Sequence, residues 1–225
     1  MNDKDFRYEE CKRDSIAILS YTSGTTGKPK GAMLTHIQIV GQIQTLSVIS
    51  IPLDYNDMYM SYLPLAHVFE REINLICIYI GATIAFYSGS PKRLVEDAGK
   101  CKPTIFIAVP KVLDRIYDGV IAKVKKQPYV VRKMFEKAYM DKLYYLRTYG
   151  TYYHAFWDKI VFKSVRKSMG DKLRGFVIGG APLTVEITEA MKIFFSVGLV
   201  VGYGSTETCG GPLICHGDDN IPCHV

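Results

Sequence analysis

Apolar runs of four to seven residues alternate with longer helical patterns, which predicts an α/β fold with a mainly parallel sheet flanked by helices. Two further observations agree. Three loops dense in glycine, hydroxyl and charged residues each follow a predicted strand, where parallel sheets bind their ligands. The composition, 48% hydrophobic and 22% charged over 225 residues, is that of a packed protein and excludes disordered, collagen-like and low-complexity classes. No repeat or proline-rich linker divides the chain, so one domain or a large part of a bigger one is expected.

Residues 15–21 (SIAILSY) read as a buried strand followed by a loop over 22–31. Residues 36–50 have helical spacing and follow Thr35, a suitable N-cap. A short strand over 59–63 stops at Pro64; a helix over 69–80 and a strand over 83–87 come next. Residues 104–109 (TIFIAV) form a buried strand ending at Pro110, and a basic, tyrosine-rich helical region covers about 111–169, punctuated by Pro128 and Gly150. A strand over 173–178 leads into Gly179 and Gly180. A helix over 184–195 follows, and a strand over 199–203 enters a polar loop. Trp157, the single tryptophan, reads as a core or interface residue.

Composition narrows the function classes. The longest apolar stretch, residues 73–87, has 15 residues and contains Asn74, Gly81 and Thr83. A membrane span needs about 20 apolar residues, so this stretch is a core segment. The first fifteen residues are charged and show no signal-peptide pattern. Six cysteines at irregular spacing imply a reducing compartment, and a cytoplasmic protein is expected. Cys209, Cys215, His216, Cys223 and His224 gather near the end without the paired short spacings of a zinc site, so no zinc is expected. The net charge of +6 is uneven: residues 100–175 hold 18 Lys/Arg against 6 Asp/Glu, an excess of twelve, leaving the rest at −6. Such a segment is a solvated helical surface or one that attracts anionic lipid or CoA phosphates. No nucleic-acid motif accompanies it, so no nucleic-acid partner is expected.

The loop after the first strand runs Tyr21, Thr22, Ser23, Gly24, Thr25, Thr26, Gly27, Lys28, Pro29, Lys30, Gly31. Glycines let backbone amides turn toward an anion, hydroxyls add donors and lysines add charge, the chemistry of a polyphosphate cradle. It is not a Walker A loop, which needs G-x-x-x-x-G-K-[ST]: Thr22 stands where the first glycine belongs, and Pro29 follows Lys28. The second loop, residues 63–70 (LPLAHVFE), places His67 at a helix start, where a capping or packed histidine is the commoner reading; HExxH is absent, so Glu70 and Glu72 form no zincin with it, and Glu70 fits the first turn of that helix. The third, residues 202–208 (GYGSTET), flanks Tyr203 with Gly202 and Gly204, which frees a ring face for a base. It also supplies the Thr206 hydroxyl and Glu207, an oxygen ligand suited to Mg²⁺. Small residues at Gly179, Gly180, Ala181 and Pro182 would admit a ligand close to the backbone.

The 21–31 loop resembles the signature loop of the AMP-forming adenylating enzymes, which include acyl-CoA synthetases, luciferases and peptide-synthetase adenylation domains. The other two loops, and the order of all these segments, are similar as well. The wording of 63–70 and of 109–117 (VPKVLDRIY) looks most like the eukaryotic long-chain fatty acyl-CoA synthetases. The resemblance implies the sheet-and-helix fold of the family's large N-terminal domain. It implies that residues 22–30 hold the phosphates of ATP and that Tyr203 stacks on adenine. Thr206 would contact the α-phosphate and Glu207 would hold Mg²⁺. His67 would lie beside the carboxylate substrate, and Gly180, Ala181 and Pro182 would border adenine and the acyl pocket. The implied reaction joins a fatty acid to ATP, giving acyl-AMP and pyrophosphate, and then to CoA with release of AMP.

Residues 1–225 look like roughly a third of a typical member. The preceding subdomain is missing, as are the downstream aspartate, the hinge and the small C-terminal domain with its catalytic lysine; residues 221–225 fall where the family usually reads Gly-x-Val-Gly. Two other readings stand beside the ligase: a non-catalytic nucleotide- or acyl-binding segment, and an adenylating enzyme for a different carboxylic acid. An insoluble substrate class and the basic segment together lead one to expect peripheral contact with the cytosolic face of a membrane such as the endoplasmic reticulum.

Overall fold

In the computed structural model, residues 10–22, 28–47 and 53–215 are described. Ile16–Thr22 forms β1, but its partner is not a parallel strand: Lys30–Thr35 (β2) folds back on it antiparallel, pairing Thr22 with Lys30 and Tyr21 with Gly31. This two-stranded ribbon stands apart from the main sheet. The expectation of a buried strand is therefore corrected, since Ile16, Leu19 and Tyr21 are more than half exposed while Ser20 and, on β2, Leu34 face inward. An apolar run alone does not separate a strand covered on both faces from one covered on a single face. The loop predicted over 22–31 is shorter than read, because β2 takes up its last two residues. His36–Ser47 (α1) follows, and Gln38 reaches back to accept from the Thr35 backbone N–H at 2.9 Å, one half of a capping box.

The main sheet is built from Met58–Ser61 (β3), Thr83–Phe86 (β4), Ile105–Ala108 (β5), Gly175–Ile178 (β6), Gly198–Ser205 (β7) and Gly210–Ile214 (β8). Its order is β4-β3-β5-β6-β7-β8, parallel throughout except for β8, which runs antiparallel to β7 at the edge. The six-stranded, mostly parallel sheet is the α/β class expected from the alternation of runs.

Period-two alternation divides the core. Tyr59, Ile105 and Ile107 pack against α1 and Val68–Ile80 (α2). Met60, Phe106, Ala108, Phe176 and Ile178 face the opposite layer. That layer comprises Leu94–Cys101 (α3), Pro110–Lys125 (α4), Tyr129–Tyr149 (α5), Ala155–Ile160 (α6), Lys163–Lys167 (α7) and Val185–Phe195 (α8). The punctuation read at Pro128 and Gly150 holds: Pro128 precedes α5, and Gly150 closes it at φ 69° with its N–H on the Leu146 carbonyl. α8 starts at Thr184, whose side chain accepts from the Ile187 N–H. Trp157 is a core residue, its indole N–H donating to Asp141 at 2.9 Å.

One charge is fully enclosed in the helical layer. Lys142 has no exposed surface, and its ammonium donates to Asp158 at 2.6 Å, to the Ile193 carbonyl at 2.6 Å and to the Ser196 hydroxyl at 2.7 Å. Burial pulls its pKa down to about 8 against the opposing pull of Asp158. Asp158→Ala leaves this ammonium without its counter-charge and is expected to cost about 3–5 kcal/mol. The denaturation midpoint of the intact protein measures this, and adding Lys142→Met should restore much of the loss. A single-mutant cost under about 1 kcal/mol would show that the pair is not a clamp.

Candidate functional site

The site is organised by the N-terminal half of α2. His67 is its N-cap, extended at φ −78° and ψ 130°, and its Nδ1 accepts from the Phe69 N–H at 3.3 Å. The ring is exposed, and Nε2 has no partner among the described residues. The capping role is therefore observed, through Nδ1, and the exposed ring leaves Nε2 open to solvent. Glu70 does occupy the first turn, but it does more than favour the helix dipole. It is wholly buried and accepts from the Tyr59 and Ser61 hydroxyls, each at 2.5 Å, and from the Asn74 amide at 2.9 Å. Burial, reinforced by the Glu70 charge, pushes the Tyr59 phenol far above its usual range, so it stays a donor.

The next turns reach the other segments. Arg71 donates to Ser20 Oγ on β1 at 3.0 Å, and Val68 packs with Leu34 of β2 and with Cys209. The Phe69 ring sits 3.3 Å from the place a Cβ on Gly179 would occupy. Glu72 is 3% exposed, and neither carboxylate oxygen has a hydrogen-bond partner among the described residues. Burial raises its pKa to about 8, opposed by Arg71 and by the Cys209 thiol beside it.

The polar loop predicted after residue 203 is corrected to a hairpin. β7 continues to Ser205, residues 206–209 make the turn, and β8 returns along β7. Thr208 stitches the turn: its hydroxyl accepts from the Ser205 N–H at 3.0 Å and donates to the Gly210 carbonyl at 2.8 Å. The two backbones approach so closely that a Cβ on Gly204 would lie 1.9 Å from the Gly210 carbonyl oxygen. One on Gly210, at φ 110°, would lie 2.0 Å from Glu72. Only glycine fits at both places. The turn therefore holds Glu207 out in solvent with Thr206 beside it half-buried, and Tyr203 keeps 61% of its surface exposed.

Between α2, β6 and the hairpin lies a cavity of about 70 Å³. Four residues predicted from sequence line it: His67, Gly180, Gly202 and Gly204. Glu72, Gly210 and the apolar Ile73, Val177 and Ile214 are among the other lining residues, and none of these five was a predicted site residue. Gly180 stands at φ 90°, with Ala181 and Pro182 exposed beyond it. Thr22, Lys28 and Lys30 are carried on the β1–β2 ribbon outside the cavity, joined to it through the Arg71–Ser20 and Leu34–Val68–Cys209 contacts. Ser23, Gly24, Thr25, Thr26 and Gly27 lie outside the described residues. So do His216, Cys223 and His224 of the cysteine-rich tail; among the described residues no three acidic, histidine or cysteine side chains cluster for a metal. A larger groove of about 570 Å³, between α4, α5 and α6–α7, contains no predicted site residue.

A carboxyl held neutral in the fold and ionised when unfolded makes stability depend on pH. Glu72 keeps its proton to about pH 8 folded, against an ordinary value near 4.5. Over that window the folded protein binds the extra proton, so stability is greatest on the acid side and falls as pH rises, by at most about 1.4 kcal/mol per pH unit. Glu72→Gln should flatten this slope in thermal unfolding between pH 5 and 8. An unchanged slope would place the ionised carboxylate in a better solvated position.

Comparison with known proteins gives the arrangement a family. The model of the AMP-binding enzymes matches residues 2–224. "Long chain acyl-CoA synthetase 3" of Arabidopsis thaliana is 39% identical over 217 residues, covering 94% of this chain and 33% of that protein. "Fatty acyl-CoA synthetase A" of Dictyostelium discoideum is 32% identical, covering 97% and 32%. The chain spans about a third of the length of the curated relatives it matches. Among solved structures, the inhibitor-bound N-terminal domain of FACL13 from Mycobacterium tuberculosis superposes with a TM-score of 0.64 at 22% identity, covering 96% of this chain and 43% of that one. The o-succinylbenzoate CoA synthetase of Bacillus subtilis in complex with its acyl-adenylate intermediate gives 0.61 at 19%, covering 92% and 33%. The fold is thus shared with these domains, and the match over nearly its whole length shows that the chain belongs to the AMP-binding enzyme family.

Proposed function

We propose that the protein carrying this chain is an AMP-forming long-chain fatty acid–CoA ligase, and that this segment supplies its nucleotide site and part of its acyl site. The observation that carries the reading is the convergence of His67, Gly180, Gly202 and Gly204, from three separate segments, on one cavity walled by the hairpin whose turn presents Thr206 and Glu207. The relatives named long-chain acyl-CoA synthetases support the substrate class.

In this reading the fatty-acid carboxylate lies at the mouth of the cavity beside His67 Nε2 and attacks the α-phosphorus of ATP, displacing pyrophosphate. The Thr206 hydroxyl donates to the α-phosphate. Tyr203, exposed and flanked by glycines, offers its ring to adenine. Lys28 and Lys30, with the hydroxyls and amides of residues 22–27, offset the charge on the leaving group. Glu207 is exposed and makes no ion pair among the described residues. A single free carboxylate fits Mg²⁺, which takes one or two protein oxygens and completes its shell with water and phosphate. Glu207 would hold that ion, whose chemistry is charge neutralisation on the phosphates. The CoA thiol then attacks the acyl-adenylate and releases AMP. The segments that follow in the family would bring the ribose-binding aspartate and the catalytic lysine.

The 570 Å³ groove supports the membrane part of the proposal. Val124, Val131, Met134 and Ile160 line it, and Lys123 and Lys126 stand on its walls, with Lys125, Arg132 and Lys163 exposed nearby. An apolar groove ringed by cations complements an anionic lipid surface on the cytosolic side of a membrane such as the endoplasmic reticulum. Binding of the intact protein to phosphatidylserine vesicles should weaken as salt rises, because the Debye length shortens from about 30 Å at 0.01 M to about 8 Å at physiological strength. Salt-independent binding would remove the electrostatic contribution.

Glu207→Ala in the intact protein should lower palmitate-dependent ATP–pyrophosphate exchange by at least about a hundredfold. As a surface substitution it should shift stability by no more than about 0.5 kcal/mol. Ordinary exchange in this variant would sink the assignment of Glu207. Absence of exchange in the unmodified protein, with binding of ATP retained, would favour a non-catalytic nucleotide-binding role.

A further inference from the structure

Two acids stand two residues apart on α2 with opposite fates. Glu70 has no exposed surface and is fully satisfied by Tyr59, Ser61 and Asn74. Glu72 is 3% exposed, and both its oxygens are the only buried side-chain polar atoms without a partner among the described residues. A buried acceptor left unmade is costly, more so for a charge, so such a group calls for a ligand or a water. Arg71, its neighbour in sequence, donates its guanidinium to Ser20 instead, and the Cys209 thiol beside Glu72 is at most a weak donor. Gly210 closes the other side, since even a methyl group there would collide with the carboxylate.

Glu72 lines the cavity together with Ile73, Val177 and Ile214 and the backbone of Gly202 and Gly204. A saturated alkyl chain would satisfy the apolar wall and leave the carboxyl orphaned. A chain bearing one hydroxyl would satisfy both. We propose that Glu72 is a specificity-determining residue of the acyl site and that the preferred acid carries a hydroxyl group on its chain. The inference rests on the ligase reading and deepens it. A neutral carboxyl both donates and accepts, as a hydroxyl does, so the pair closes without burying a net charge. An ammonium-bearing chain is the competing chemistry and would require an ionised Glu72.

The test uses the intact protein and compares kcat/KM in ATP–pyrophosphate exchange for palmitic acid, its α-, β-, mid-chain and ω-hydroxylated forms, and an ω-amino acid of equal length. One hydroxy acid should exceed palmitic acid by at least about tenfold, because a site built around a polar group penalises the analogue lacking it. Glu72→Val should reduce that preference at least about tenfold or invert it, while Glu72→Gln, which keeps a donor and an acceptor, should hold it within about threefold. The valine variant removes an orphaned acid, so its melting temperature should equal or exceed that of the unmodified protein, which separates lost recognition from lost folding. Equal use of palmitic and hydroxy acids, a preference untouched by Glu72→Val, or preference for the amino acid would each overturn the inference and leave the ligase reading standing. No exchange with any acid would overturn both.

Discussion

The buried carboxylate of Glu70 is the constraint on which the rest of the site depends. It fastens the first turn of α2 to β3 through Tyr59 and Ser61, and two hydrogen bonds of 2.5 Å leave the helix little freedom to slide or rotate. Because side chains three and four apart share a face, fixing Glu70 also fixes its neighbours on the next turn. Everything the site needs is hung on that helix end: the cap at His67, the Phe69 ring against Gly179, Arg71 on Ser20 of the ribbon and Glu72 under Gly210. The β1–β2 ribbon forms a separate sheet, so its placement depends on these contacts and on Leu34 packing with Val68 and Cys209. An acid in the core is a costly anchor, repaid here because every one of its neighbours is a donor.

A second constraint is the close crossing of β7 and β8. Antiparallel return of β8 at the sheet edge brings Gly204 onto Gly210 and seats Gly210 on Glu72. The hairpin is what turns a strand-end loop into a wall: its strands line the cavity, and its turn, locked by Thr208 against Ser205 and Gly210, displays Thr206 and Glu207 at a fixed place. Gln42 of α1 adds a bond from its amide to the Gly211 carbonyl at 3.2 Å, so both helices on this face hold the same edge strand.

The parts legible in the sequence were those whose signal is local. β3, β5 and β6 are short apolar runs bounded by proline or glycine, and Pro128 and Gly150 mark helix ends by their own backbone restrictions. Of the three chemical loops, the second was legible as a helix start at His67, whereas the third is a hairpin and residues 23–27 of the first lie outside the described residues. The strands β2 (KGAMLT) and β8 (GGPLI) were not, since lysine, glycine and proline argue against a strand. Each forms because a partner strand offers unpaired backbone groups, and for β8 an edge position tolerates Pro212. α3 (LVEDAGKC) is too short and too polar to announce itself. The burial of Glu72 was hidden for a compound reason: it is completed by β8, so the environment of this acid could not be read before the strand that covers it.

The division of the core explains how one chain carries two unlike surfaces. The sheet's two faces are packed independently, one by α1 and α2 and the other by α3 to α8. The acidic and glycine-lined site belongs to the first layer, and the basic excess of residues 100–175 belongs almost wholly to the second. Within that second layer Lys142 is fully enclosed and matched by Asp158, while most of the other cations of residues 100–175 stay exposed and lie across the sheet from Glu70 and Glu72. Arg71 already stands on the α2 face and opposes the upward shift at Glu72; further cations there would draw its proton off. Separation by a sheet two side chains thick lets α2 keep a neutral acid in an apolar cavity while the opposite layer stays strongly positive. The geometry of the cavity and the charge of the outer layer are thus one consequence of which residues alternate along β3 and β5.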